Sequence, residues 1–237
     1  MAQAAKLAYR DYDFAVDPSR RDWNYDKMNG HKTIYLTFDD GPSANTEKAL
    51  DILDQYGCKA TFFVTGQNPE YFPWIKEAYK RGHTIGLHSM SHDYETVYKS
   101  PEDFWAEFDA IGQVVKEQIG YVPCFIRFPG GSSNTISNDY SEGIMSYLVN
   151  DVQERGYQFY DWTLSCGDGA VLTTEETIMY GCEETDEVNP TYLLHDGAAK
   201  ETTIEALPSI IEYYQARGYT FEALDRNSLV SHHTIEA

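Results

Sequence analysis

A three-residue mark recurs along this chain. Arg81-Gly82-His83, Arg155-Gly156-Tyr157 and Arg217-Gly218-Tyr219 each stand between a helical pattern and an apolar, β-rich run. Glycine can adopt the left-handed conformation that ends a helix, and arginine suits the negative C-terminal end of the helix dipole. A repeated helix–glycine–strand unit implies βα repeats, and βα repeats build a parallel sheet.

The other segments fit that frame. Lys32 to Phe38 alternates, with Ile34, Leu36 and Phe38 on one face, and reads as the first strand. Asn45 or Thr46 is expected to cap a helix whose stripe is Ala49, Ile52, Leu53 and Tyr56, ended by Gly57. Further strands are expected at Lys59 to Val64, Thr84 to Leu87, Cys124 to Phe128, Tyr157 to Leu164, Thr191 to Leu194 and Tyr219 to Phe221. Helices are expected near 73–81, from Ser100-Pro101 to Gly120, along Ile144, Leu148 and Val152, and near 203–216. The chain has 237 residues, enough for one large domain. Length and unit count favour an α/β fold of one domain, an irregular (β/α) barrel with mostly parallel strands, over an open doubly wound sheet. Residues 1–30 read as a polar extension, 31–225 as the domain, without an internal linker, and 226–237 as a tail.

Charge narrows the partners. A formal net charge of −20 repels nucleic acid and anionic membrane, and suits neutral or cationic ligands such as glycans. No apolar run is long enough to span a bilayer, and Met1 to Gly30 carries no signal-peptide pattern. The four cysteines, Cys58, Cys124, Cys166 and Cys182, form no CxxC pair and leave the redox compartment open.

Three motifs lie where strands end. Asp39-Asp40-Gly41-Pro42 follows the first strand, His88-Ser89-Met90-Ser91-His92 the third, and Leu193-Leu194-His195-Asp196 ends a late one. In a parallel barrel those ends share one face, which is where such folds carry active sites. Two imidazoles at i and i+4 can reach one metal ion if the backbone there is helical or turn-like. A structural pair of histidines has the same spacing, and Asp-Asp-Gly-Pro is also an ordinary strand-to-helix turn. The Ser-Met-Ser spacer holds no carboxylate, so a base must come from elsewhere. The paired aspartates can supply one, with one carboxylate on metal and the other free.

Thr37-Phe38-Asp39-Asp40-Gly41-Pro42, His88-Ser89-Met90-Ser91-His92, Arg127-Phe128-Pro129-Gly130-Gly131 and Leu193-Leu194-His195, in that order, resemble the polysaccharide deacetylase family, also called the NodB-homology or carbohydrate esterase 4 domain. The resemblance covers about residues 31–223. It implies a distorted (β/α) barrel and metal-dependent deacetylation of glycans. Carried over by position, Asp40, His88 and His92 would hold one divalent metal ion, zinc first, with cobalt, nickel or manganese fitting similar ligands. Asp39 would be the base, oriented by Arg127, and His195 the acid, polarised by Asp168. The Gly130 N–H would face the oxyanion, and Leu193 would wall the acetyl group.

Trp162 is a groove candidate, with a buried strand tryptophan as the favoured reading. Ser165, Gly169 and Gly130 depart from residues common in the family and bear on the acetyl pocket. Peptidoglycan N-acetylglucosamine is the expected substrate, because Arg127 to Ser132 resembles peptidoglycan-directed bacterial members. Chitooligosaccharide, acetyl-xylan, a small cyclic amide or ureide, and a non-catalytic glycan-binding module are the alternatives. The resemblance implies an extracellular or cell-envelope location in a bacterium. Oligomeric state is not readable from the chain.

Overall fold

The computed structural model describes residues 13–26 and 30–235. Strands β1 (Thr33–Asp39), β2 (Thr61–Val64), β3 (Thr84–Leu87), β4 (Phe125–Ile126), β5 (Gln158–Phe159), β6 (Leu164–Ser165), β7 (Thr191–His195) and β8 (Thr220–Glu222) form one sheet. Its order is β5-β4-β3-β2-β1-β7-β6, and every strand pair is parallel. β8 pairs with the first half of β1 at Thr33 to Tyr35, and β2 pairs with the second half at Thr37 to Asp39. The result is a single-domain, incomplete (β/α) barrel, as the βα repeats imply.

Helices α1 (Ala44–Gln55), α2 (Pro73–Lys80), α3 (Tyr94–Val97), α4 (Pro101–Ile119), α5 (Ile144–Glu154), α6 (Thr174–Gly181) and α7 (Glu201–Gln215) complete the fold. The recurring glycines Gly82, Gly156 and Gly218 have φ of +90°, +89° and +84°, the left-handed values that end α2, α5 and α7. α4 begins at the Ser100 cap with Pro101 at its first turn and stops at Gly120, φ +96°. The cap of α1 is Ser43 and not Asn45 or Thr46. Its hydroxyl accepts from the Asn45 N–H, and the Thr46 side chain accepts in return from the Ser43 N–H, forming a capping box.

Two expectations need correction. The single strand expected from Tyr157 to Leu164 is two, β5 and β6, broken at Tyr160-Asp161-Trp162-Thr163. The Asp161 side chain draws that segment out of the ladder. It accepts from the Ser132 N–H and hydroxyl at 2.8 and 2.5 Å and from the His233 N–H at 2.8 Å. The two chain ends, expected as appendages, are built into the domain where they are described. Ala15 bridges Pro123, Asn24 bridges Leu229, and Asp17 lies over Gly156 so closely that a Cβ there would sit 2.4 Å from its backbone. The Asp161 N–H donates to Ser231 O, and His232 stacks on Phe159 with centroids 3.6 Å apart. The segment at 231–233 therefore covers the seam between β5 and β6. Among the described residues no helix is long and apolar enough to cross a membrane.

Candidate active site

Asp39 is the last residue of β1 and pairs in register with His195, the last residue of β7. The chain then turns through Asp40, φ +70°, and a cis Gly41–Pro42 peptide. A non-glycine residue at positive φ is strained, so the surroundings must hold Asp40 there. Asp196 does this from below. Its N–H donates to Asp39 O at 3.1 Å, its carbonyl accepts from Ser43 Oγ at 2.6 Å, and its carboxyl accepts from Thr46 Oγ1 at 2.5 Å. A Cβ on Gly41 would lie 2.4 Å from the Asp196 carboxyl, so only glycine passes over it. Burial, together with the nearby Asp40 and Asp39 charges, pushes the Asp196 carboxyl up to about 7. No role for Asp196 follows from the sequence, because nothing local signals a carboxyl buried under another strand's turn.

The two histidines meet Asp40 through a turn, not a helix. Ser89 and His92 have φ of +73° and +55°, and the Ser89 hydroxyl accepts from the His92 N–H. His88 Nε2 lies 3.7 Å and His92 Nε2 3.4 Å from Asp40 Oδ1. Two zinc ligand atoms at about 2.0–2.2 Å from the ion and near-tetrahedral angles lie roughly 3.3–3.5 Å apart. Asp40 Oδ1 is buried and without a hydrogen-bond partner, a costly state for a carboxylate oxygen unless a cation meets it. His88 Nδ1 lies 2.8 Å from Arg127 O, which orients its Nε2 toward the cluster. Burial, helped by the nearby His92, pushes the His88 imidazole down to about 3, so it is neutral and able to ligate. The residues present fit a divalent metal ion.

Two ion pairs flank this cluster. Arg127 is fully buried inside the barrel. Its Nη1 donates to Asp39 Oδ1 at 2.9 Å and Thr37 Oγ1 at 2.7 Å, and its Nε and Nη2 donate to the carbonyls of Tyr160 and Asp161. One guanidinium thus ties β1 to the connection between β5 and β6 across the seam. The other Asp39 oxygen lies 3.6 Å from His88 Nε2. Burial pushes the Asp39 carboxyl up, against the pull of the Arg127 charge.

On the far side, Asp168 Oδ1 lies 2.8 Å from His195 Nδ1, while Oδ2 accepts from the His195 N–H and from Thr203 Oγ1. Burial pulls the His195 imidazole down, but the Asp168 hydrogen bond and charge, with Asp39 and Asp40, outweigh it and raise the group to about 9. At neutral pH His195 carries its proton.

The deciding comparison is with a family profile. The description "Polysaccharide deacetylase" matches residues 26–144. The chain belongs to the polysaccharide deacetylase family. It is 32% identical over 214 residues to a peptidoglycan-N-acetylglucosamine deacetylase of Bacillus cereus, covering 85% of this chain and 73% of that one. It is 30% identical to the putative polysaccharide deacetylase YheN of Bacillus subtilis, covering 86% and 71%. The crystal structure of the catalytic domain of a peptidoglycan N-acetylglucosamine deacetylase from Eubacterium rectale superposes with a TM-score of 0.86. It is 42% identical, over 93% of this chain and all of that one.

The remaining positions of this polysaccharide deacetylase family member lie on the neighbouring strands and loops. Gly130 and Gly131 have φ of +78° and +79° in the loop after β4. Trp162 is half-buried between β5 and β6, and a Cβ on Gly131 would lie 2.9 Å from its ring. Leu193 is buried on β7 and pairs with Thr37, two residues before Asp39 on β1. The structure also assigns support roles that the sequence left unassigned. Asp161 holds Ser132, next to the glycine pair, and His233 reaches Ser133 Oγ at 3.0 Å and Trp162 O at 2.7 Å. His83, His232 and His233 stand away from the Asp40 cluster, in packing and hydrogen-bonding roles. All four cysteines are unpaired, and Cys166 is a buried filler.

Proposed function

We propose that this protein is a metal-dependent deacetylase of an N-acetylated glycan, with peptidoglycan N-acetylglucosamine as its substrate. The observation that carries the reading is the orphaned Asp40 oxygen facing two histidine nitrogens, with a paired Asp39 on one side and a charged His195 on the other. The names of the Bacillus cereus and Eubacterium rectale relatives support the substrate. They also support a bacterial cell-envelope location. Asp40, His88 and His92 would hold the metal ion, zinc first, with cobalt, nickel or manganese as the other fits. When bound, the ion lowers the pKa of a water and polarises the acetyl carbonyl.

The chain's own groups do the rest. Asp39, held by Arg127, accepts a proton from the attacking water as its oxygen bonds to the carbonyl carbon. The Gly130 N–H faces the oxygen on which negative charge develops. His195 donates its Nε2 proton to the sugar nitrogen as the C–N bond breaks, so a neutral amine departs and acetate remains. Asp168 keeps that imidazole charged and fixes its orientation through Nδ1. Leu193 and Trp162 enclose the methyl end.

Acetate release from peptidoglycan, chitooligosaccharide and acetyl-xylan, with and without chelator, tests the reading. Release from peptidoglycan that chelator stops and added metal restores is the expected result. Chelator-insensitive release would contradict the mechanism, and release from acetyl-xylan alone would overturn the substrate.

The acid has a pH signature. With His195 raised to about 9, its proton is present below that value and lost as pH rises through it, so turnover should decline on that alkaline limb. Asp168→Asn removes the main group that raises it, while burial remains. The limb of the kcat profile should therefore move to lower pH. An unmoved limb would show that some other group sets it.

A further inference from the structure

Tyr94 begins α3, two residues beyond His92. Its ring stands edge-on to His92, with centroids 5.7 Å apart at 84°, and against Tyr98 at 5.8 Å. Tyr98 is fully buried, and its hydroxyl donates to Pro129 O at 2.7 Å, which fixes the start of the glycine loop. The Tyr94 hydroxyl reaches the next residue of that loop. A Cβ built on Gly130 would lie 2.4 Å from Tyr94 Oη and 3.1 Å from its ring. The phenol therefore occupies the volume that a side chain at position 130 would fill. Gly130, at φ +78°, leaves that volume open to it.

Tyr94 is half-buried, and among the described residues no protein group forms a hydrogen bond with its hydroxyl. An unpaired, partly exposed phenol beside a backbone turn and a candidate metal ligand is a donor available to a ligand oxygen.

We propose that Tyr94 is a catalytic residue: its hydroxyl donates a hydrogen bond to the acetyl oxygen of the substrate, beside Gly130. This rests on the deacetylase reading above. In that reading the acetyl oxygen lies between the Asp40–His88–His92 cluster and the Gly130 loop; the Tyr94 ring borders the first at His92, and its hydroxyl borders the second. A neutral phenol there gains strength as negative charge develops on that oxygen, so its contribution is larger in the transition state than in the bound substrate.

Tyr94→Phe tests this, because it removes one oxygen and keeps the ring against His92 and Tyr98. Three quantities are measured on wild type and variant: kcat and KM for acetate release from soluble peptidoglycan fragments, zinc affinity by titration of the apoprotein, and competitive inhibition by acetate. The expected result is a fall in kcat of roughly tenfold to 10³-fold, weaker inhibition by acetate, and unchanged zinc affinity. A loss of zinc affinity that accounts for the lost rate would make Tyr94 a support for His92 and overturn the assignment. A rise in KM with kcat unchanged would place the hydroxyl on the sugar and overturn it too. An active wild type matched by an equally active variant overturns this inference alone. A zinc-loaded wild type that releases no acetate overturns the deacetylase reading and this inference with it.

Discussion

Asp39→Asn is expected to lower the rate of acetate release by about 10²–10⁴ while metal binding persists. Asparagine keeps the shape of the side chain and can still accept from Arg127 through its oxygen. It cannot take a proton from water. Asp39 is separated from the cluster by function and not by distance, since its free oxygen is 3.6 Å from His88 Nε2. The decisive comparison is therefore kcat against metal stoichiometry in the same preparation. Turnover within a few fold of wild type would remove Asp39 from the role of base. Loss of metal together with activity would mean that Asp39 is a ligand.

Arg127→Met should have the largest effect on stability. Four hydrogen bonds end on this guanidinium, from two elements on opposite sides of the barrel interior. Methionine fills part of the volume but leaves the Asp39 carboxylate buried without its partner, and two carbonyls without a donor. Removing one member of a buried pair costs about 3–5 kcal/mol. The measurement is the shift in denaturant midpoint at unchanged slope, made on the protein without added metal so that ligand linkage does not enter. A change below about 1 kcal/mol would mean that Asp39 has found another partner or a proton.

The strands, the helix stops and the motif positions were legible because each has a local cause. Gly82, Gly156 and Gly218 end helices by their own conformational freedom, and Ser100-Pro101 starts one by its own chemistry. The placement of Asp39 at a strand end followed from alternation, and that of His88 and His195 from the short β-rich runs just before them. What stayed hidden depends on partners far along the chain. Tyr157 to Leu164 has the composition of one strand, but Arg127 takes up its Tyr160 and Asp161 carbonyls while Ser132 and His233 hold the Asp161 carboxylate, and two strands result. His232 and His233 looked like a tail because the short run around them carries no helix or strand pattern. Their partners are Phe159, Trp162 and Ser133. Tyr94 was one of nineteen tyrosines until Gly130 showed what its hydroxyl reaches.

The covering of the β5–β6 seam has a consequence for the order in which the site is acquired during synthesis. Asp39, Asp40, His88, His92, Arg127, Asp168 and His195 have all been added to the chain by residue 195. The glycine loop, however, is held through Asp161, which takes one of its bonds from His233, 72 residues further on. Domains fold as units during synthesis, so this single domain can lock its glycine loop only after His233 has emerged. Under the proposed function, competence to turn over substrate would therefore wait on residues added well after every candidate ligand and proton-transfer group.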